Sequence, residues 1–204
     1  MCSAKASTDC DPLDRLPATF SYSAARAAGL SNARIYQLRD QGLVERVGRG
    51  LYRRRDADPG VDLDLLEIAL KAPRGTLSLT SALAHHDLID DIPDVIHIAL
   101  PRGHRRPQVT PPVAWHAFDV DTFDIGRNMI DLDNDVAIGL YSPERCVVDA
   151  FRLPHIVGYE TTYIALRRWL RRHGNHLSTL EEMASHFSRA QRRLRGALEV
   201  LTSE

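Results

Sequence analysis

The sequence has no apolar run approaching the roughly 20 residues that a membrane-spanning helix needs. Its first dozen residues, MCSAKASTDCDP, are small and polar and lack the apolar segment of a secretory signal. They read as a loose tail over residues 1–12, and the chain is expected in the cytoplasm with no membrane partner. Cysteine is scarce: Cys2, Cys10 and Cys146 are an odd, scattered set without metal-ligand spacing, which argues against a disulfide framework or a zinc knuckle. Cys146 sits among Val147, Ala150 and Phe151 and is expected as a buried thiol. Also missing are the phosphate cradle G-x-x-x-x-G-K-[ST] and a kinase-like glycine-rich loop with its downstream H-R-D and D-F-G set. Neither a metal nor a cofactor is therefore expected.

A strong net charge is absent too, since the whole chain carries −1, but that value conceals a division. Residues 20–55 hold eight arginines against Asp40 and Glu45, a balance of +6. Residues 56–160 carry −10, and residues 161–204 return to +4. A basic head on a near-neutral chain binds duplex DNA through its local field and counterion release, so the distribution matters more than the total.

The head has its own punctuation. Ser21 or Ser23 can cap a short Ala-rich helix closed by Gly29, and Ser31 can cap a second helix closed by Gly42. Two short helices around a glycine turn make a helix-turn-helix. In the second helix Ile35 and Leu38 mark the buried face, so Ala33, Tyr36, Gln37 and Asp40 point outward, flanked by Asn32, Arg34 and Arg39. Leu43 to Val47 and Leu51 to Arg54 then read as a hairpin with a Gly48-Arg49-Gly50 tip. Helix-turn-helix followed by a basic hairpin is the pattern of a winged helix, whose second helix enters the major groove while the wing follows the backbone. Asn32, Arg34, Tyr36 and Gln37 are the candidates for base edges, with Arg39 beside them. Arg46, Arg49, Arg53, Arg54 and Arg55 are the candidates for phosphates.

A turn-rich break, Asp56-Ala57-Asp58-Pro59-Gly60, divides this segment, residues 13–58, from residues 59–204. The second part reads as α+β. A helix over Asp62–Ala72 should bury Leu65, Leu66, Ala69 and Leu70, and another runs from Leu79 to about Leu88 with Ser78 or Thr80 as cap. Strands are expected at Val95–Leu100, Val113–Phe118, Ile125–Asp131 and Val136–Tyr141. Ser142-Pro143 starts a helix that Pro154 stops. Helices follow over Tyr159–Arg172, after a capping box at Ser178–Glu181, and over Arg189–Leu201.

With these elements in place, the chain resembles the AbiEi-family antitoxins of type IV-like bacterial toxin-antitoxin systems. Four segments carry the resemblance: GLVERVGRGLY at residues 42–52, LTSALAHHDL at 79–88, VIHIALPRG at 95–103 and SPERCVVDAFR at 142–152. It implies a winged-helix head that represses its own operon and a C-terminal antitoxin domain. The implied partners are operator DNA and a cognate nucleotidyltransferase-fold toxin encoded nearby. Two heads must be set on a repeated operator, by homodimerisation or on the DNA itself.

Two alternatives come from other functional classes. One is an atypical protein kinase that phosphorylates the toxin, requiring ATP and Mg²⁺, with Ser78, Thr80 and Asp149 as candidate participants beside Arg102, Arg105 and Arg106. The other is a plain winged-helix regulator with a ligand-sensing C-domain. Arg102, Arg105 and Arg106 on a Pro-rich loop, and Arg168, Arg171 and Arg172 on one helix face, form a second basic surface open to DNA, to an acidic partner or to solvent. His85 and His86 are consecutive on a helix and point about 100° apart, which suits one packed and one exposed ring better than a metal site. The acidic set Asp131, Asp133 and Asp135 reads as an exposed hairpin turn. Asp149 with Arg152 reads as an ion pair contributing roughly a few tenths of a kcal/mol.

Overall fold

The computed structural model describes residues 12–57, 60–133 and 136–202. Cys2, Cys10, Asp58, Pro59, Asn134 and Asp135 lie outside them. A 3-10 turn at Pro12–Arg15 leads into β1 (Thr19–Ser21), α1 (Tyr22–Ala27), α2 (Asn32–Asp40), β2 (Val44–Gly48) and β3 (Leu51–Arg54). The three strands form one antiparallel sheet in the order β1-β3-β2. Ser21 Oγ accepts from the Ala24 amide at 3.0 Å and Ser31 Oγ from the Arg34 amide at 3.2 Å, so both helices start at serine caps. Gly29 (φ +94) and Gly42 (φ +71) turn the chain out of each helix in a conformation that costs other residues energy. Leu16, Phe20, Ala25, Leu30, Ile35, Leu38, Val44 and Tyr52 close a small separate core.

The rest is α+β: α3 (Leu63–Lys71), β4 (Thr76–Leu77), α4 (Leu79–His85), β5 (Ile96–Pro101), β6 (Val113–Phe118), α5 (Val120–Phe123), β7 (Arg127–Asp133), β8 (Val136–Tyr141), α6 (Pro143–Arg152), α7 (Pro154–Val157), α8 (Tyr159–Arg171), α9 (Leu177–Ser185) and α10 (Ser188–Thr202). The mixed sheet runs β6-β5-β4-β8-β7. Its middle strand β4, only two residues long, pairs antiparallel with β5 and parallel with β8. Its brevity left no periodic signal in the sequence. No helix among the described residues is long and apolar enough to cross a membrane.

Several boundaries differ from the sequence reading for local reasons. β7 begins at Arg127 because Gly126, at φ +68, turns the chain and its carbonyl accepts from the Ser142 amide at 2.7 Å. α4 ends at His85, and Asp87 (φ +52) leaves the helical region. The capping box at Ser178 does not form: α9 starts at Leu177, and Thr179 Oγ1 donates back to the His176 carbonyl. On α3, Leu65 and Leu70 are half-buried while Glu67 and Ile68 are fully buried, because the helix is covered by wing strand β2 as well as by β7 and β8.

Helix α6 is the hub, packing against α4, α7, α8, α9 and α10. Ser142 caps it, Pro143 occupies the first turn and Pro154 follows its end. Every residue from Arg145 to Phe151 is buried, so the expected Asp149–Arg152 pair forms, but in the interior and not as a weak one. Asp149 Oδ2 accepts from Arg145 Nε at 3.0 Å, and Asp149 Oδ1 lies 3.1 Å from Arg152 Nη2. Arg145, 0% exposed, also donates to the Thr122 and Ile125 carbonyls at 2.8 and 2.6 Å and lies over the Tyr141 and Phe187 rings. Burial pushes the Asp149 carboxyl up and the Arg152 guanidinium down, while each charge opposes the other's shift. Cys146 is buried as expected and raised well above the thiol range by desolvation.

Replacing Asp149 by Asn keeps the shape but leaves the buried Arg145 and half-buried Arg152 guanidiniums without a counter-charge. Asp149→Asn should lower unfolding free energy by about 3–5 kcal/mol, read by urea denaturation of the full chain.

Candidate nucleic-acid interface

The exposed side of α2 presents Asn32, Arg34, Tyr36, Gln37 and Arg39 while Ile35 and Leu38 are buried. These side chains are partly organised before any ligand arrives. Tyr22 Oη donates to Asn32 Oδ1, which ties the first residue of α2 to α1. Arg34 Nη1 donates to Gln37 Oε1 at 3.0 Å, so the two candidate base readers lie on one turn. Arg39 packs over the Tyr36 ring at 5.1 Å and pairs with Asp40. Hydrogen bonding to the Asp40 carboxylate raises its pKa further.

The wing arginines divide by what their neighbours offer. Arg46 and Arg49 are exposed, and Arg46 Nε donates to the Gly48 carbonyl at 3.1 Å. Gly50, at φ +73, makes the tight tip that carries Arg49 outward. Arg54 forms a two-point contact with Asp56, at 2.9 and 2.5 Å, which holds the Asp56 carboxyl below the usual range. Arg55 lies 3.4 Å from Glu45.

Arg53 is a correction. It is 3% exposed and its Nη1 donates to Asp133 Oδ2 at 2.5 Å and to Thr19 Oγ1 at 2.8 Å, so it faces the body of the protein instead of a phosphate. Odd and even positions of a strand face opposite sides, and the side chosen by Arg53 is the one that meets Asp133 at the end of β7. Asp133 is therefore part of an interface between the two units, not an exposed turn.

A second contact fixes the wing. An ideal Cβ on Gly48 would lie 2.7 Å from Glu67 Cδ, so any side chain there would have to displace the Glu67 carboxyl. Buried Glu67 is held by Lys71 Nζ at 2.5 Å and by the Thr110 amide and hydroxyl at 3.2 Å. The sequence carried no sign of either contact, since both join residues far apart in the chain.

The second basic surface does not form as a stripe. Arg168 binds Asp90, and Arg172 donates to the His86 carbonyl, leaving Arg171 exposed. Arg102, Arg105 and Arg106 are exposed on the loop after β5. Trp169 is in the core and donates to Glu144.

The chemical candidates are withdrawn from solvent. Ser78 is 0% exposed and donates to the His97 carbonyl, the Thr80 hydroxyl is buried without a partner, and Asp149 lies between two arginines. His85 is exposed, whereas His86 is half-buried with Nε2 2.8 Å from the Tyr141 carbonyl. His97 and His116 stack with ring nitrogens 3.0 Å apart, and burial with the neighbouring His97 pushes His116 down to about 4.

Residues 13–55 match the family model described as the AbiEi antitoxin transcriptional regulator. The resemblance seen in the sequence is therefore met by the segment that builds the helix-turn-helix and wing. Among solved structures, the Rv2827c protein of Mycobacterium tuberculosis is similar in fold, with a TM-score of 0.52 and 18% identity over 92% of this chain and 78% of that one. No curated protein matches the sequence.

Two arginines of one wing should separate cleanly. Arg49→Ala should weaken binding to all duplexes about equally and reduce the salt slope by about 1, with no change in stability. Arg53→Ala should instead cost about 3 kcal/mol of unfolding free energy or more, because it strips Asp133 of its buried partner. Fluorescence anisotropy across a salt series together with urea denaturation checks both. On α2, Arg34→Ala or Gln37→Ala should relax base preference by about 1–3 kcal/mol at the positions read, measured by competition between operator and mismatched duplexes.

Proposed function

We propose that this protein is an antitoxin and autorepressor acting in the cytoplasm. Its winged helix reads an operator, and its α+β body counteracts a nucleotidyltransferase-fold toxin encoded beside it. The observation that carries the reading is the exposed α2 face with the Arg49 wing tip, on the segment that matches antitoxin regulators. Asn32, Arg34, Tyr36, Gln37 and Arg39 take base edges and flanking backbone, and Arg46 and Arg49 take phosphates. Repeated half-sites would bring two heads together on DNA. The kinase alternative draws no support from Ser78 and Asp149, which are fully buried, or from Thr80, whose hydroxyl is withdrawn from solvent.

The test is to express the full chain carrying Arg34→Ala and Arg49→Ala from an unrelated promoter alongside the neighbouring toxin. Cutting the chain at residue 60 would be a poorer test, since it leaves Asp133 without Arg53. The expected outcome is lost repression of an operon reporter with growth rescue intact. Loss of both together would overturn the division of labour proposed here.

A further inference from the structure

A groove crosses the face of the body built by the β6–α5 junction, α7, α8 and α10. Its polar end encloses about 540 Å³ and is lined by Arg102, Arg152, Arg189 and Arg193, with Asp119 the one carboxylate in the lining. The Arg152 guanidinium is fixed there, 4.2 Å over the Phe118 ring and paired with Asp149. Pro154, Tyr159 and Arg193 continue into an apolar end of about 310 Å³ that also meets Phe151, Tyr163 and Gly196. The side chains of Arg102, Arg189 and Arg192 make no hydrogen bond or ion pair with other described residues.

Gly196 is the second, independent observation. It lies inside the 15-residue helix α10, where glycine is unfavourable relative to alanine. A Cβ at this position would meet nothing within 4 Å, so internal crowding does not require glycine. Arg189, Arg193, Gly196 and Val200 follow one another at helical spacing, and Val200 is 60% exposed. The missing side chain keeps the apolar end of the groove open to something outside the fold.

The geometry points to this groove as the docking surface for an acidic, amphipathic segment of the toxin, a statement that rests on the antitoxin reading above. Carboxylates of the partner meet Arg102, Arg152, Arg189 and Arg193, and an aliphatic or aromatic side chain enters the space over Gly196. Arginine and tyrosine are the residues that supply most energy at protein interfaces, and the lining is rich in both. The docking surface thus moves from Arg168 and Arg172, which are used internally, to α10.

The experiment uses the full chain and the purified neighbouring toxin, with binding measured by calorimetry and protection by growth. Gly196→Leu fills the groove while adding a better helix former, so it should keep or raise the melting temperature and weaken binding at least 10-fold. Arg189→Glu with Arg192→Glu reverses charge at side chains that hold nothing else, and should weaken binding similarly with DNA affinity unchanged. Wild-type binding with both variants unaffected would overturn the groove assignment. Protection by wild type without measurable binding would also overturn it, leaving the antitoxin reading intact. Neither binding nor protection would remove both.

Discussion

The structure depends most on the buried Arg145–Asp149–Arg152 chain of charges along α6. A helix packed on by five others would ordinarily be apolar all round, since each desolvated charge costs several kcal/mol. Here the cost is offset by mutual pairing, by the Thr122 and Ile125 carbonyls, and by the aromatic faces of Phe118, Tyr141 and Phe187. Those partners come from β6, α5, β8 and the α9–α10 turn, so satisfying α6 orders the sheet and the terminal helices together. The same chain of charges carries Arg152 into the lining of the groove, which links the core to the proposed docking surface.

A second constraint joins the head to the body. Arg53 with Asp133, and Gly48 against Glu67, attach the two strands of the wing hairpin at separate points. The wing is therefore a fixed edge and not a free flap, and its outward-facing charge is concentrated at Arg46 and Arg49. One consequence is economy in the use of arginine. Neighbouring arginines on a single hairpin serve as a buried tie, an internal ion pair and an open cation, according to which carboxylate lies within reach.

Much of the head was legible in the sequence because its signals are local. Serine caps, glycine stops and the Ile35–Leu38 stripe act over a few residues, and the structure keeps all of them. In the body, β6 and β8 were legible from their short apolar runs between turn signals, and α6 from its Ser-Pro start. The two-residue β4 was not, because it is decided by its partner strands β5 and β8, and the failed capping box at Ser178 and the early end of α4 were not, because each turns on a local backbone choice, at His176–Thr179 and at Asp87.

Sequence alone determined the helix-turn-helix, the outward face of α2 and the uneven distribution of charge, since backbone propensity and periodicity are properties of neighbouring residues. Only the tertiary structure decided which charges remain available. Arg53, Asp133, Arg168 and Arg172 look like surface residues in one dimension, yet each meets its counterpart across tens of residues. Gly196 shows the reverse: an ordinary position in the chain becomes part of an open groove once α8 and α10 are both packed on α6. Pairing and exposure are settled by distance in space, and a linear pattern does not contain that distance.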